Sequence, residues 1–120
     1  PMEGHLVHAD KNGHLAVVAV MVTEGKANKA LEKAWAQLPK KGEKLALSAD
    51  ISPLEILPEN RDYYRFNGSL TTPPCSEGVR WLVMKQPITA SKEQIEKFLA
   101  VVHHHNNRPV QAVNARPVLE

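Results

Sequence analysis

Side chains that could do chemistry stand at two places in this sequence, one near its start and one in its middle. Near the start, His5 follows Glu3 by two positions, and in the middle Thr71 and Thr72 lie within a Gly-Ser-Leu-Thr-Thr-Pro-Pro run at 68–74. Imidazole is a common zinc ligand, and residues two apart in a strand share a face, so Glu3 is placed as a carboxylate that could orient another ligand. A lone strand histidine is more often a surface or core residue, so a metal role for His5 depends on what faces it.

Three further candidates carry less weight. His8 points to the opposite face of the predicted strand from His5, so this segment supplies one ligand at most. Consecutive histidines at 103–105 follow a predicted helix. Cationic side chains there interact favourably with the C-terminal end of the helix dipole, so this role is preferred to metal binding. Metal buffering by these histidines is a weaker alternative. Cys75 is the single cysteine, and the sequence shows no neighbouring base that would make it a nucleophile.

Strands must position most of these residues. Alternating polar and apolar residues predict a strand over 2–8, and Asn12-Gly13 predicts a hairpin into the apolar run 15–22. Two consecutive prolines exclude a helix at 68–74, so Thr71 and Thr72 are predicted to lie on a rigid loop, although such a composition is also typical of a solvated turn. Further strands are predicted at 44–48, 63–66 and 79–85, with an extended tail at 106–117.

Two helices and one helical turn complete the prediction. Apolar residues at helical spacing after Asn28 indicate a first helix that Pro39 ends, and a turn is predicted to begin at Pro53. Ser91 and Gln94 match a capping box at the start of a second helix. The elements together indicate an α+β fold in which strands dominate.

Composition restricts the class of protein. The chain has 120 residues, 42% hydrophobic and 23% charged, which is ordinary for one folded domain. A net charge of +2 from interspersed residues, with few aromatic side chains, argues against nucleic acid as a partner. The sequence contains no apolar stretch long enough for a membrane span, no signal peptide pattern and no glycine-rich phosphate loop.

Several blocks of sequence resemble the α-class carbonic anhydrases in their order and separation. The most specific are the run at 68–74 and Asn-Arg-Pro-x-Gln-x-x-Asn-x-Arg at 107–116. Supporting blocks occur at 3–8, 15–18, 64–67 and 79–81, and Cys75 directly after the second proline resembles the exported bacterial branch. The resemblance implies a mixed, largely antiparallel central sheet with a few peripheral helices.

The resemblance also implies an activity and a site. It implies reversible hydration of carbon dioxide to bicarbonate and a proton by zinc-bound hydroxide, with inhibition by sulfonamides or inorganic anions. His5 matches the third zinc ligand, Glu3 matches a glutamate that orients another of the ligands, and Thr71 matches the threonine that accepts a hydrogen bond from the hydroxide. The residues matching the substrate pocket are Val7, Val17, Leu70, Thr72, Val79 and Trp81.

The resemblance covers only the C-terminal portion of the single carbonic anhydrase domain. The histidine pair that supplies the family's first two zinc ligands, its proton-shuttle histidine and the glutamate that pairs with the threonine have no match in residues 1–120. The isolated chain is therefore expected to be inactive without an N-terminal portion, to which Cys75 would form a disulfide in a periplasmic or secreted protein. The alternative is an inactive fragment in a folded or strand-swapped assembly, such as a homodimer, with zinc as a potential bridge.

Overall fold

The computed structural model describes residues 2–36, 38–40, 42–46 and 51–120. Within these residues, five strands and two α-helices follow one another, with a 3-10 helix at Pro53–Ile56 between the first helix and the third strand. The strands are β1 (Met2–Ala9), β2 (Leu15–Glu24), β3 (Tyr63–Ser69), β4 (Glu77–Met84) and β5 (Ile88–Ala90), and the helices are α1 (Lys29–Ala34) and α2 (Lys92–Val102).

The strands form one mixed sheet in the order β1-β2-β4-β3, with β5 also paired to β2. The longer ladders, β1 with β2 and β3 with β4, are antiparallel, whereas β2 pairs in parallel with β4 and with β5. The expected mixed, largely antiparallel sheet with peripheral helices is therefore confirmed. The turn between β1 and β2 is closed by Asp10, whose carboxylate accepts hydrogen bonds from the backbone nitrogens of Asn12 and His14 at 2.8 Å.

Strand register brings the candidate residues to one face of the sheet. His5 pairs with Ala19 and Val7 pairs with Val17, while Val17 in turn pairs with Trp81 of β4. Paired residues on neighbouring strands point to the same side, so the odd-numbered residues of β1, β2 and β4 share one face, called here the odd face. Glu3 and His5 therefore lie on the same face as the apolar residues of β4.

Each face of the sheet carries its own apolar cluster. On the odd face, Val17, Ala19, Val79 and Trp81 are buried, with Leu70 and Phe66 packed against them. On the opposite face, a second cluster joins Val22 and Ala90 to side chains of both helices. The helices therefore cover one face of the sheet and leave the odd face to the site residues.

Gln94 ties the starts of the two helices together. Ser91 and Gln94 form the predicted capping box of α2. The Gln94 side chain also accepts a hydrogen bond from the backbone nitrogen of Asn28 and donates one to its carbonyl oxygen, both at 2.9 Å. Asn28 is itself the N-cap of α1, as predicted. One glutamine thus fixes both helix N-termini over the sheet.

Several predicted boundaries are wrong. The first helix ends at Ala34, well before Pro39, because Trp35 already leaves helical geometry. The strand predicted at 44–48 is absent at 44–46, where Leu45 is exposed without a pairing partner, and residues 47–48 lie outside the described residues. Strand β5 was not predicted. Gly68 and Ser69, predicted to lie in the loop, belong to β3.

Within the described parts of the chain, no helix has the length and apolar character needed to cross a membrane.

Candidate active site on the odd face

His5 and Glu3 form a polar pair on the odd face of β1. Nε2 of His5 lies 3.2 Å from Oε1 of Glu3, and the imidazole is 23% exposed whereas the carboxylate is 41% exposed. The carboxylate thus contacts His5 itself, which corrects the expectation that Glu3 would orient a different ligand. Residues two apart on a strand face are close enough for this contact. A proton held on Nε2 by Glu3 leaves Nδ1 of His5 as the nitrogen with a free lone pair.

Trp81 connects His5 to the predicted loop. The indole ring meets the His5 imidazole edge-on, with ring centroids 5.0 Å apart and an interplanar angle of 76°. Its Nε1 donates a hydrogen bond to the carbonyl oxygen of Ser69 at 3.0 Å, immediately before the loop. The ring of Phe66 stacks against the indole on the same face. One buried side chain therefore sets the distance between the histidine and the loop.

The loop at 70–76 is held by its own backbone. Leu70 donates a hydrogen bond to the carbonyl oxygen of Ser76, and Cys75 donates one to that of Thr72, both at 2.9 Å. The Pro73-Pro74 peptide bond is cis. Thr71 is half-buried and Thr72 is exposed. The prediction of a non-helical loop carrying two threonines is confirmed for these residues.

Two arginines of the tail anchor the base of this loop, and their role was not predicted. Arg108 donates a hydrogen bond to Oγ of Ser69 at 2.9 Å, and Arg116 donates one to the carbonyl oxygen of Asn67 at 2.8 Å. Gly68 makes room for Arg116 and Trp81, because a Cβ there would lie 3.2 Å from the Trp81 ring and 3.3 Å from the Arg116 guanidinium. The signal was present in the sequence, since both arginines belong to the conspicuous 107–116 motif.

The predicted pocket residues divide into two groups. Val17, Val79 and Trp81 are buried together, and Leu70 packs against them. Val7 lies on the same face but is 59% exposed, and Thr72 is exposed at the loop. The odd face therefore holds an apolar floor with an open rim at Val7 and Thr72.

The metal and cysteine predictions rest on single residues. Within residues 2–36, 38–40, 42–46 and 51–120, no group of three histidine, cysteine, aspartate or glutamate side chains could hold a metal ion. His5 offers one imidazole nitrogen, which suits one of the four positions of tetrahedral zinc. Cys75 is a half-buried free thiol. The histidines at 103–105 are exposed, and Nδ1 of His104 donates a hydrogen bond to the carbonyl oxygen of Val102.

Comparison with known protein families identifies the family of this chain. The sequence model of the eukaryotic-type carbonic anhydrases matches residues 1–120. The chain belongs to this α-carbonic anhydrase family. The carbonic anhydrase of Pectobacterium carotovorum is 48% identical over 120 residues, which cover 99% of this chain and 49% of that protein.

Solved α-carbonic anhydrases share the fold. The enzyme from Thermovibrio ammonificans, determined with the inhibitor sulfanilamide, superposes with a TM-score of 0.93 at 56% identity, over 98% of this chain and 53% of that one. The Photobacterium profundum α-carbonic anhydrase superposes with a TM-score of 0.91 at 54% identity, over 98% and 54% of the two chains. This α-carbonic anhydrase chain thus spans about half the length of the relatives that it matches.

Proposed function

We propose that this chain supplies one part of a carbonic anhydrase active site, which catalyses the reversible hydration of carbon dioxide to bicarbonate and a proton. The observation that carries the proposal is the connection on the odd face between His5, Trp81 and the loop that begins after Ser69. This connection places a candidate metal ligand, an apolar surface and a hydroxyl-bearing loop side by side.

His5 is proposed to bind zinc through Nδ1. Its Nε2 lies against Glu3, and a carboxylate in that position holds the proton on Nε2 and orients the ring. Zinc, when bound, lowers the pKa of a coordinated water to about 7 and so supplies a nucleophile near neutral pH. Glu3 is thus proposed to position the ligand and not to exchange protons with substrate.

Thr71 is proposed to orient the nucleophile, and the apolar floor to hold carbon dioxide. A threonine hydroxyl can accept one hydrogen bond and donate another, so Thr71 could fix the direction from which the nucleophile attacks. Carbon dioxide is small and uncharged, and the buried surface of Val17, Val79 and Trp81 with Leu70 offers it no competing hydrogen bonds. Val7 and Thr72 would form the rim through which substrate and bicarbonate pass.

The remaining zinc ligands are proposed to come from a segment equivalent to the half of the relatives that this chain does not match. In the completed domain, Cys75 is proposed to form a disulfide with that segment, in a periplasmic or secreted protein. Sulfonamides are proposed to inhibit the completed site, by similarity to the Thermovibrio ammonificans enzyme, whose structure was determined with sulfanilamide. Inorganic anions are proposed to inhibit it as well, on the family resemblance alone.

The test compares the 120-residue chain alone with the same chain joined to the unmatched half of the Pectobacterium carotovorum enzyme. Carbon dioxide hydration is followed in a stopped-flow assay with zinc present. The proposal predicts background rates for the chain alone and zinc-dependent hydration for the joined protein. Zinc-dependent activity of the chain alone would show that no further ligands are needed, and an inactive but folded joined protein would refute the proposed function.

A second candidate, from a different class, is an inactive assembly of two chains. Strand β1 lies at one edge of the sheet, and among the described strands only β2 pairs with it. An exposed edge of eight residues can pair with a second copy and bring two His5 side chains to one zinc ion. Mass in solution and zinc content distinguish the candidates, because a metal-free monomer excludes the assembly.

A further inference from the structure

The hydroxyl of Ser69 joins the tail of the chain to the backbone of the loop at 70–76. Nη1 of Arg108 donates a hydrogen bond to Oγ of Ser69 at 2.9 Å, although the two residues lie 39 positions apart. A guanidinium has no acceptor, so the hydroxyl oxygen accepts this bond and keeps its own proton to donate. Oγ donates that proton to the carbonyl oxygen of Leu70 at 3.0 Å. These three groups, called here the Arg108 relay, connect a cation to a backbone carbonyl.

The Arg108 relay fixes the peptide group that leads into Thr71. Because a peptide group is planar, holding the carbonyl oxygen of Leu70 also sets the directions of the backbone nitrogen and Cα of Thr71. The backbone nitrogen of Leu70 is held too, since it donates to the carbonyl oxygen of Ser76 at 2.9 Å. The backbone is therefore bonded on both sides of Leu70, and Thr71 leaves β3 in one defined direction.

The charge of Arg108 strengthens this connection. A hydrogen bond from a charged donor is roughly twice as strong as a neutral one, and it polarises the hydroxyl toward its own acceptor. Ser69, Leu70 and Arg108 are each half-buried, which limits competition from water. Without the guanidinium, the serine hydroxyl is free to rotate to another partner, because its proton has no fixed position. The hold on the Leu70 carbonyl therefore depends on Arg108.

We propose that Arg108 is a positioning residue for the hydration reaction, because it aims the hydroxyl of Thr71 through Ser69. This inference rests on the proposed function, in which Thr71 orients the nucleophile. Arg108 acts only through the relay and not by contact with the reacting atoms. A misplacement of about 1 Å can lower a rate on the order of 10²-fold. The loss of Arg108 therefore impairs catalysis only when Thr71 has a hydroxyl group to misplace.

The relay itself is tested by NMR on the 120-residue chain labelled with ¹³C and ¹⁵N, a readout that needs neither zinc nor activity. Arg108→Met keeps an apolar stem but has no donor, and Ser69→Ala removes the hydroxyl while leaving the cation. Both variants are expected to shift the carbonyl ¹³C signal of Leu70 and the amide ¹⁵N signal of Thr71 in the same direction, because both lose the bond to that carbonyl. Unchanged signals in either folded variant would overturn the proposal.

The effect on catalysis is tested by a double-mutant cycle in the protein that joins this chain to the unmatched half of the Pectobacterium carotovorum enzyme. Arg108→Met is expected to lower kcat/KM for hydration by about tenfold when Thr71 is present, but less than about twofold in a Thr71→Val background. Ser69→Ala should show the same dependence on Thr71. Zinc content should stay unchanged in every variant. Equal fold losses in the two backgrounds would overturn the proposal.

Arg116→Met is the matched control, since it also loosens the tail but lies outside the relay. Arg116 donates hydrogen bonds to the carbonyl oxygens of Asn67, Ala112 and Val113. Its loss is expected to lower the Tm and to change kcat/KM by the same factor with Thr71 or with Thr71→Val. A dependence on Thr71 as large as that of Arg108→Met would overturn the proposal.

The two experiments separate a failure of this inference from a failure of the proposed function. A joined wild-type protein that folds but shows no zinc-dependent hydration would refute the proposed function, and the positioning role with it, even if the NMR signals shift as expected. An active joined protein in which Arg108→Met has no dependence on Thr71 would refute the positioning role alone.

Discussion

The indole of Trp81 packs edge-on against the imidazole of His5 and donates its ring N–H to the carbonyl oxygen of Ser69. Trp81→Phe keeps an aromatic ring at this position but loses the 3.0 Å hydrogen bond and some packed volume. We expect the free energy of unfolding to fall by about 1–2 kcal/mol in urea titrations.

The control for this change is Trp35→Phe. Trp35 stacks on Phe98 with ring centroids 5.6 Å apart, and phenylalanine preserves that stacking. Trp35→Phe should lower the free energy of unfolding by less than about 1 kcal/mol. Equal losses in the two variants would mean that the hydrogen bond to Ser69 adds no stability.

Gln94 is predicted to stabilise both helix N-termini at once. Gln94→Ala removes the capping box of α2 and the two hydrogen bonds to Asn28. We expect a loss of about 2 kcal/mol in the free energy of unfolding, since each hydrogen bond contributes roughly 0.5–1.5 kcal/mol. Glu96→Gln, which disrupts only an exposed ion pair with Lys92, should cost no more than about 0.5 kcal/mol. A similarly small loss in the free energy of unfolding for both variants would contradict the claim that Gln94 stabilises both helix N-termini.

The turn between β1 and β2 should make stability depend on acid pH. Hydrogen bonds from His14 hold the pKa of the Asp10 carboxyl below its ordinary value of 3.8. A carboxyl with a lowered pKa in the folded state stabilises the protein above the unfolded-state pKa, and this contribution is lost as the pH falls through the folded-state value. The stability difference between the wild type and Asp10→Asn should therefore shrink as the pH falls below about 4.

Urea midpoints measured between pH 2 and 5 would follow this difference, with Glu59→Gln as a control that removes an exposed carboxylate outside the turn. A difference between the wild type and Asp10→Asn that stays constant over this range would show that Asp10 does not contribute.

A role for Thr71 in catalysis can be tested in the protein that joins this chain to the unmatched half of the Pectobacterium carotovorum enzyme. Thr71→Val has nearly the same shape as threonine but no hydroxyl, so the nucleophile would lose its orienting partner. We expect kcat/KM for carbon dioxide hydration to fall on the order of 10²-fold. Thr71→Ser keeps the hydroxyl and should retain activity within about tenfold. Equal losses in the two variants would indicate that Thr71 acts by packing alone.

The sequence was sufficient for those features that depend on local pattern. Alternation in β1 and β4 predicted that Glu3 and His5 share a face, as do Val79 and Trp81, because side chains alternate in any strand. The capping box predicted the start of α2. Family resemblance then joined residues that lie more than sixty positions apart, which no periodicity could do.

Other features depend on tertiary structure and could not be predicted. Strand β5 has three residues and exists because β2 offers an edge beyond the end of its pairing with β4. Which side chain the Glu3 carboxylate contacts depends on the rotamer of Glu3, so only the structure showed that this carboxylate contacts His5. The β3–β4 ladder shifts its register between Gly68 and Ser69, just before the loop, and Trp81 donates a hydrogen bond to the carbonyl oxygen of Ser69. Neither feature has a signal in the local sequence pattern.

The most direct test of the proposed function is the effect of His5→Ala on zinc content and carbon dioxide hydration in the joined protein. If His5 is a ligand, the variant should bind zinc at least tenfold more weakly and lose most of the zinc-dependent hydration. His105→Ala, which removes an exposed imidazole outside the odd face, should change neither quantity. Full zinc content and unchanged hydration in a folded His5→Ala protein would contradict the account.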